Sequence, residues 1–100
     1  MGKTIVWTTA AQHQLNQIFL DVFEISNSVE VAEKITTNIY ESTEILQTHS
    51  EIYELDELKI NNNQNIRAYE KYSYRISYQN DNDKIYILRV RHTSREPLKY

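Results

Sequence analysis

Two periodicities divide the chain. Leu15, Ile18, Phe19 and Val22 fall at the i, i+3, i+4, i+7 spacing of one helical face, and Phe23 widens the stripe. Thr9, with Gln12 three residues on, has the form of a capping box and predicts a helix from there to about Ile25. Ser26-Asn27-Ser28 is a polar break, and Asn27 with Glu30 repeats the capping pattern. The second helix then carries Ala32, Ile35, Ile39 and Leu46 on its apolar side and Glu30, Glu33, Lys34, Glu41 and Glu44 on its outer side. So short a break predicts an antiparallel helical hairpin.

The remainder follows a period of two. Lys3 to Trp7 reads as a short strand, with Ile5 and Trp7 on one side and Val6 on the other. After an irregular stretch from Gln47 to Leu58, Leu58-Lys59-Ile60 has the form of a further short strand, and Asn61 to Asn65 is a turn or loop rich in asparagine. Ile66 to Tyr72 is a strand. Tyr72, Tyr74, Ile76 and Tyr78 then alternate with Ser73, Arg75 and Ser77 in the clearest strand of all. Lys84 to Thr93 is the last strand. It begins apolar on both sides at Ile85 to Leu88, which predicts a central place in the sheet. It then alternates, with Leu88 and Val90 inward and Arg89 and Arg91 outward.

The element order predicts an α+β fold: an N-terminal strand, a helical hairpin, then antiparallel β-strands forming a twisted sheet with the helices on one face. Alternation sends Arg75, Arg89 and Arg91 to the opposite face, which is expected to be free. One hundred residues with one proline and one glycine predict a single domain over 1–100.

Charge gives the two halves different tasks. Residues 1–64 hold three lysines against ten acids, a net −7; residues 65–100 hold five arginines and three lysines against four acids, a net +4. Every arginine and six of the eight tyrosines lie in the second part. Such asymmetry points to an anionic partner for the basic part. The chain has no cysteine, which excludes disulfides, thiolate chemistry and cysteine-built zinc sites, and which fits a reducing cytoplasm. No apolar run is long enough to span a bilayer, so no membrane partner is expected.

Glycine is absent after Gly2, which excludes a glycine-rich phosphate loop, and His13, His49 and His92 are too scattered for a metal site. No metal or other cofactor is expected. Glu54 and Asp56 belong to an acidic run that reads as solvated surface. Arginine, tyrosine and one histidine remain, a set able to serve RNA: arginines grip phosphates in two-pronged fashion, and tyrosine or histidine stacks on bases or moves protons. The same surface would equally bind DNA or a protein.

The strand YSYRISYQ, a polar turn and then IYILRVRHTSRE, preceded by IVWTTAA and two amphipathic helices, resembles the RelE/ParE superfamily of type II toxin–antitoxin toxins. The resemblance covers nearly the whole chain. It implies a toxin held inactive by a cognate antitoxin. In one branch such toxins enter the ribosome and cleave mRNA; in the other they inhibit DNA gyrase without cleaving anything. The resemblance to ribonuclease members implies that Arg75 and Arg95 contact the scissile phosphate, with His92 or Tyr100 assisting in proton transfer or stacking. Arg67, Lys71, Arg89 and Arg91 are expected to bind nucleic acid or a partner, Arg89 and Arg91 as general electrostatic surface or antitoxin contacts. The sequence departs from the RelE branch in the strand before Tyr-Arg. There that branch carries lysines, and Arg67 and Lys71 stand at different positions. The expected activity is ribosome-dependent mRNA cleavage by a metal-independent endoribonuclease. Gyrase inhibition, or an inactive member that only binds its antitoxin, are the alternatives.

Overall fold

The computed structural model describes residues 2–94 and 99–100. Strand β1 (Thr4–Trp7) leads into helices α1 (Thr9–Ser26) and α2 (Val29–Ser42), and a 3-10 turn follows at Glu44–Gln47. Strands β2 (Ile66–Lys71), β3 (Tyr74–Asn80) and β4 (Lys84–His92) complete the fold. The sheet order is β1-β4-β3-β2, with β4 inside as its doubly apolar start predicts. The sheet is mixed rather than wholly antiparallel, because β1 returns through the helical hairpin to lie parallel to β4. A parallel neighbour needs such a crossover.

Both helix starts fall one residue away from the expected caps. Thr8, not Thr9, caps α1: its hydroxyl accepts from Ala11 N at 3.2 Å and donates to Ile87 O at 2.7 Å. One side chain thus closes the helix and fastens it to β4. Ser28, not Asn27, caps α2. Asn27 instead takes a left-handed backbone (φ 57°) after α1, the conformation that ends helices and that asparagine tolerates.

The core lies between the helices and one face of the sheet. Ile39, Leu46, Ile76, Tyr78, Ile85 and Ile87 are wholly buried there, and Ala11, Leu15, Ile18 and Val90 join them. Each fully buried aliphatic side chain contributes about 1.5–3 kcal/mol of transfer free energy. Tyr78 is completed by a hydrogen bond from its hydroxyl to Ser50 O at 2.8 Å. Tyr69 shares one with Ser42 Oγ at 2.7 Å and stacks on Tyr53 at 4.2 Å. Burial drives the phenols of Tyr69 and Tyr78 above their ordinary range, to about 12 for Tyr78.

A bulge in β4 changes one detail of the alternation. Ser77 pairs with Arg89 but Tyr78 pairs with Ile87, so Leu88 is the extra residue. Ile85 and Ile87 before it, and Val90 after it, face the helices; Leu88 is only half buried, contrary to its expected inward place. The bulge still leaves Arg89 and Arg91 on the far side. Tyr72 is not in a strand: it forms, with Ser73, the turn between β2 and β3. Residues 58–60 are not a sheet strand either. The extended piece lies earlier, where Leu55 bridges Arg67 on the outer edge of β2. No helix among the described residues is long and apolar enough to cross a membrane.

Candidate functional site

The far face of the sheet gathers arginines because β3 and β4 pair with Arg75 opposite Arg91 and Ser77 opposite Arg89. That face is not free. The segment that bridges β2 at Leu55 carries Asp56 across the sheet edge. Ala68 N donates to Glu54 O at 3.1 Å and Asp56 N to Ile66 O at 2.8 Å, so residues 54–56 run as a strap along β2. Alternation along the strap puts Tyr53 against Tyr69 on the helix side and Asp56 over the arginines.

Asp56 is 2% exposed, and its carboxylate accepts four hydrogen bonds. Oδ1 accepts from Arg75 Nη2 at 2.8 Å and from Leu58 N at 3.0 Å. Oδ2 accepts from Ser77 Oγ at 2.8 Å and from the Tyr100 hydroxyl at 2.5 Å. Burial alone would push this carboxyl up. The bonds from Tyr100, Arg75, Leu58 and Ser77 outweigh it, and Asp56 titrates below its ordinary 3.8. It is therefore an ionised group whose lone pairs are engaged, and no proton-transfer work is left to it.

Tyr100 closes the arrangement from above. Its backbone N–H donates to Leu58 O at 2.9 Å, its carbonyl accepts from Ile60 N, and the Arg89 guanidinium sits 3.9 Å from the ring centroid. That cation–ring stack places Arg89 under the ring rather than out in water. Burial and the Asp56 carboxylate push the Tyr100 phenol up to about 12. Burial likewise pulls the Arg89 guanidinium below its ordinary value. Glu70 adds a second, looser carboxylate, 3.8 Å from Arg75 Nη1.

The residues singled out from the sequence are thus sorted by face. Arg75, Arg89, Arg91 and Tyr100 come together. Arg67 and Lys71 do not join them: in register they share the helix side with Tyr69, opposite Tyr78 and Tyr74. Arg67 is spent inside the protein, its Nη1 donating to Tyr53 O at 2.7 Å. The reason is parity along β2, where Ile66, Ala68 and Glu70 take the arginine side. His92 also faces the helix side, its ring edge-on to Tyr74 at 5.0 Å. Its Nδ1 accepts from Ser94 N at 3.0 Å. A cavity of about 710 Å³ opens beside it, lined by Ile18, Tyr74 and Val90, by Asp21 and Glu24 of α1, and by Arg91. Arg95 lies outside the described residues. Among the described residues no group of three or more His, Cys, Asp or Glu is placed to hold a metal ion.

Asp56 is the residue that sequence reasoning passed over. Its run of acids looks solvated. The signal for it was indirect: Arg75 and Ser77, two residues apart on one strand face, form a polar pair that needs an acceptor once buried.

Comparison with known proteins agrees with this architecture. The family model "ParE toxin of type II toxin-antitoxin system, parDE" matches residues 5–97. Among solved structures, a chain of the chromosomal ParDE toxin–antitoxin system from P. aeruginosa is similar, with a TM-score of 0.71 at 21% identity, over 90% of this chain and 95% of that one. A chain of the toxin–antitoxin complex RelBE2 from Mycobacterium tuberculosis is similar with a TM-score of 0.60 at 16% identity, over 92% and 99%. No curated protein matches the sequence significantly. The strand, helical hairpin and three-stranded meander are those of the RelE/ParE superfamily of toxins. Within it, the chain belongs to the ParE toxin family of type II toxin–antitoxin systems.

Proposed function

We propose that this toxin acts by gripping a protein target, DNA gyrase, and not by cutting RNA. The observation that carries the reading is the Arg75–Asp56 pair. An arginine meant to hold a scissile phosphate must offer its charge and its N–H fork to the substrate. Here Arg75 Nη2 and the neighbouring Ser77 hydroxyl are already bound to an internal carboxylate, and Tyr100 covers it. The match to the ParE family supports the same branch. So does the location of Arg67 and Lys71 on the other side of the sheet, away from any phosphate held at Arg75.

The toxin is expected to be neutralised by a cognate antitoxin, as the two similar structures, both from toxin–antitoxin systems, suggest. Ribosome-dependent mRNA cleavage is the second reading, and His92 favours it: the imidazole stands against Tyr74 with Arg91 beside it at the mouth of a cavity.

Controlled expression of the chain separates the two. The expected outcome is growth arrest with impaired DNA supercoiling and intact mRNA; cleaved mRNA with normal supercoiling would refute gyrase inhibition. His92→Ala sharpens the result, since it abolishes toxicity under the nuclease reading and leaves it in place under ours.

A further inference from the structure

The turn between β2 and β3 consists of Tyr72 and Ser73 alone, since the register pairs Lys71 with Tyr74. Both residues have left-handed backbones, at φ 52° and 65°. Two-residue turns of this kind favour Asn-Gly or Asp-Gly, because Cβ crowds the following carbonyl oxygen in that conformation; glycine has none, and asparagine and aspartate offset the cost with a local hydrogen bond. An aromatic residue followed by serine is the opposite of what hairpin stability selects. Strain at an exposed tip points to a residue kept for what it presents.

Tyr72 is exposed and yet held in place. Asn38 Nδ2 donates to its hydroxyl at 3.0 Å, and the Lys71 ammonium lies 5.0 Å from its ring centroid. Helix α2 runs alongside the hairpin, with Ser42 against Tyr69 and Asn38 against Tyr72. Lys34, one helical turn before Asn38, continues that line past the tip. It is the only lysine or arginine in either helix. Neither Lys34 nor Lys71 has a carboxylate within ion-pair distance among the described residues. On a chain whose helices are otherwise acidic, Lys71 lies against the exposed ring and Lys34 stands one helical turn from the asparagine that holds it.

We infer that the Tyr72 tip, with Lys71 and Lys34 beside it, is the contact through which this toxin engages an acidic surface segment of its target protein. The inference rests on the reading that the target is a protein. The ring offers a flat apolar plate already fixed in position, the kind of side chain that dominates protein interfaces. Its oxygen accepts from Asn38, so its own proton remains available to an acceptor on the partner. The lysines steer the approach of a negatively charged surface.

The test exploits the strain. Replacing the turn by Tyr72→Asn with Ser73→Gly is expected to raise the melting temperature while abolishing growth arrest on expression. In a supercoiling assay with purified gyrase, the amount needed for half inhibition is expected to rise by about tenfold or more. Tyr72→Phe keeps the plate and should retain most activity. Lys34→Glu with Lys71→Glu should weaken inhibition comparably and remove much of its salt dependence. A more stable Asn-Gly variant that arrests growth as the original does overturns the inference, and so does one that melts lower. Should the original chain arrest growth without touching supercoiling, the gyrase reading fails, and the growth-arrest comparison still decides the role of the tip.

Discussion

On the helix side of the sheet, Ile39, Leu46, Ile76, Tyr78, Ile85 and Ile87 lie wholly out of water and are held by many small, undirected contacts. On the other side a single carboxylate, Asp56, gathers donors from the strap, from β3 and from Tyr100. The first side is redundant: no one contact defines it, and its main groups do not ionise near neutrality. The second is concentrated, so its integrity depends on one charge state and one residue. A buried ion pair is weak evidence of net stability, since desolvation offsets much of the attraction, but removing one partner leaves a stranded charge. The contrast shows how a small domain with limited apolar material covers both sides of a sheet. Apolar packing closes one side, and polar cross-linking closes the other.

Ile76→Ala probes the redundant side and has the largest expected effect. It should destabilise the fold by about 3–4 kcal/mol through lost burial and the cavity left behind. Denaturant melts at pH 7 and pH 3 should give the same loss, because nothing that titrates is removed.

Asp56→Ala probes the concentrated side. At pH 7 it should cost about 2–3 kcal/mol, since Arg75 is left with only the loose Glu70 contact and some access to water. The folded carboxyl titrates below 3.8, so its contribution is present above the unfolded pKa and fades as pH falls through the folded one. The gap between original and variant should therefore narrow in melts taken at successively lower pH under 3.8. A gap independent of pH would mean that the two sides do not differ as described.

Tyr100→Phe is the mildest change. Losing one hydrogen bond to a carboxylate should cost about 1–2 kcal/mol at neutral pH. The phenol is raised from 10.0 to about 12, so its contribution is complete below pH 10 and lost as pH climbs toward 12. The variant should lose less stability than the original in alkaline melts over that interval. Part of the alkaline loss should persist in both, because Tyr78 titrates in the same range.

The arrangement of elements was legible because strong periodicities carried it: the Leu15–Val22 stripe, the Tyr74–Ile76–Tyr78 alternation and the doubly apolar start of β4 each name a buried face. The direction of β1 was not legible, since alternation is the same in parallel and antiparallel pairing. The side Arg67 takes was not legible, because β2 has apolar residues on both faces, Ile66 and Ala68 against Tyr69, and parity cannot choose between them. The cover over Arg75 was invisible for a different reason. Asp56 lies nineteen residues from Arg75 and Tyr100 lies forty-four from Asp56, so no local pattern links them. Long-range polar contacts leave no periodic trace. Only the unsatisfied polar demand of Arg75 and Ser77 hinted that something must answer it.

Asn62 carries a consequence for life in a crowded cell. Its side-chain amide imitates a neighbouring peptide unit: Nδ2 donates to Ile66 O at 2.8 Å while Oδ1 accepts from Ile66 N at 3.2 Å. Together with the Leu55 bridge, it occupies the outer rim of β2 that another polypeptide would otherwise zip onto. Past Ala68 the rim presents Glu70 and Lys71, charges that discourage such stacking. The border of the sheet most open to pairing by a second strand is thereby filled from within the chain or lined with charge.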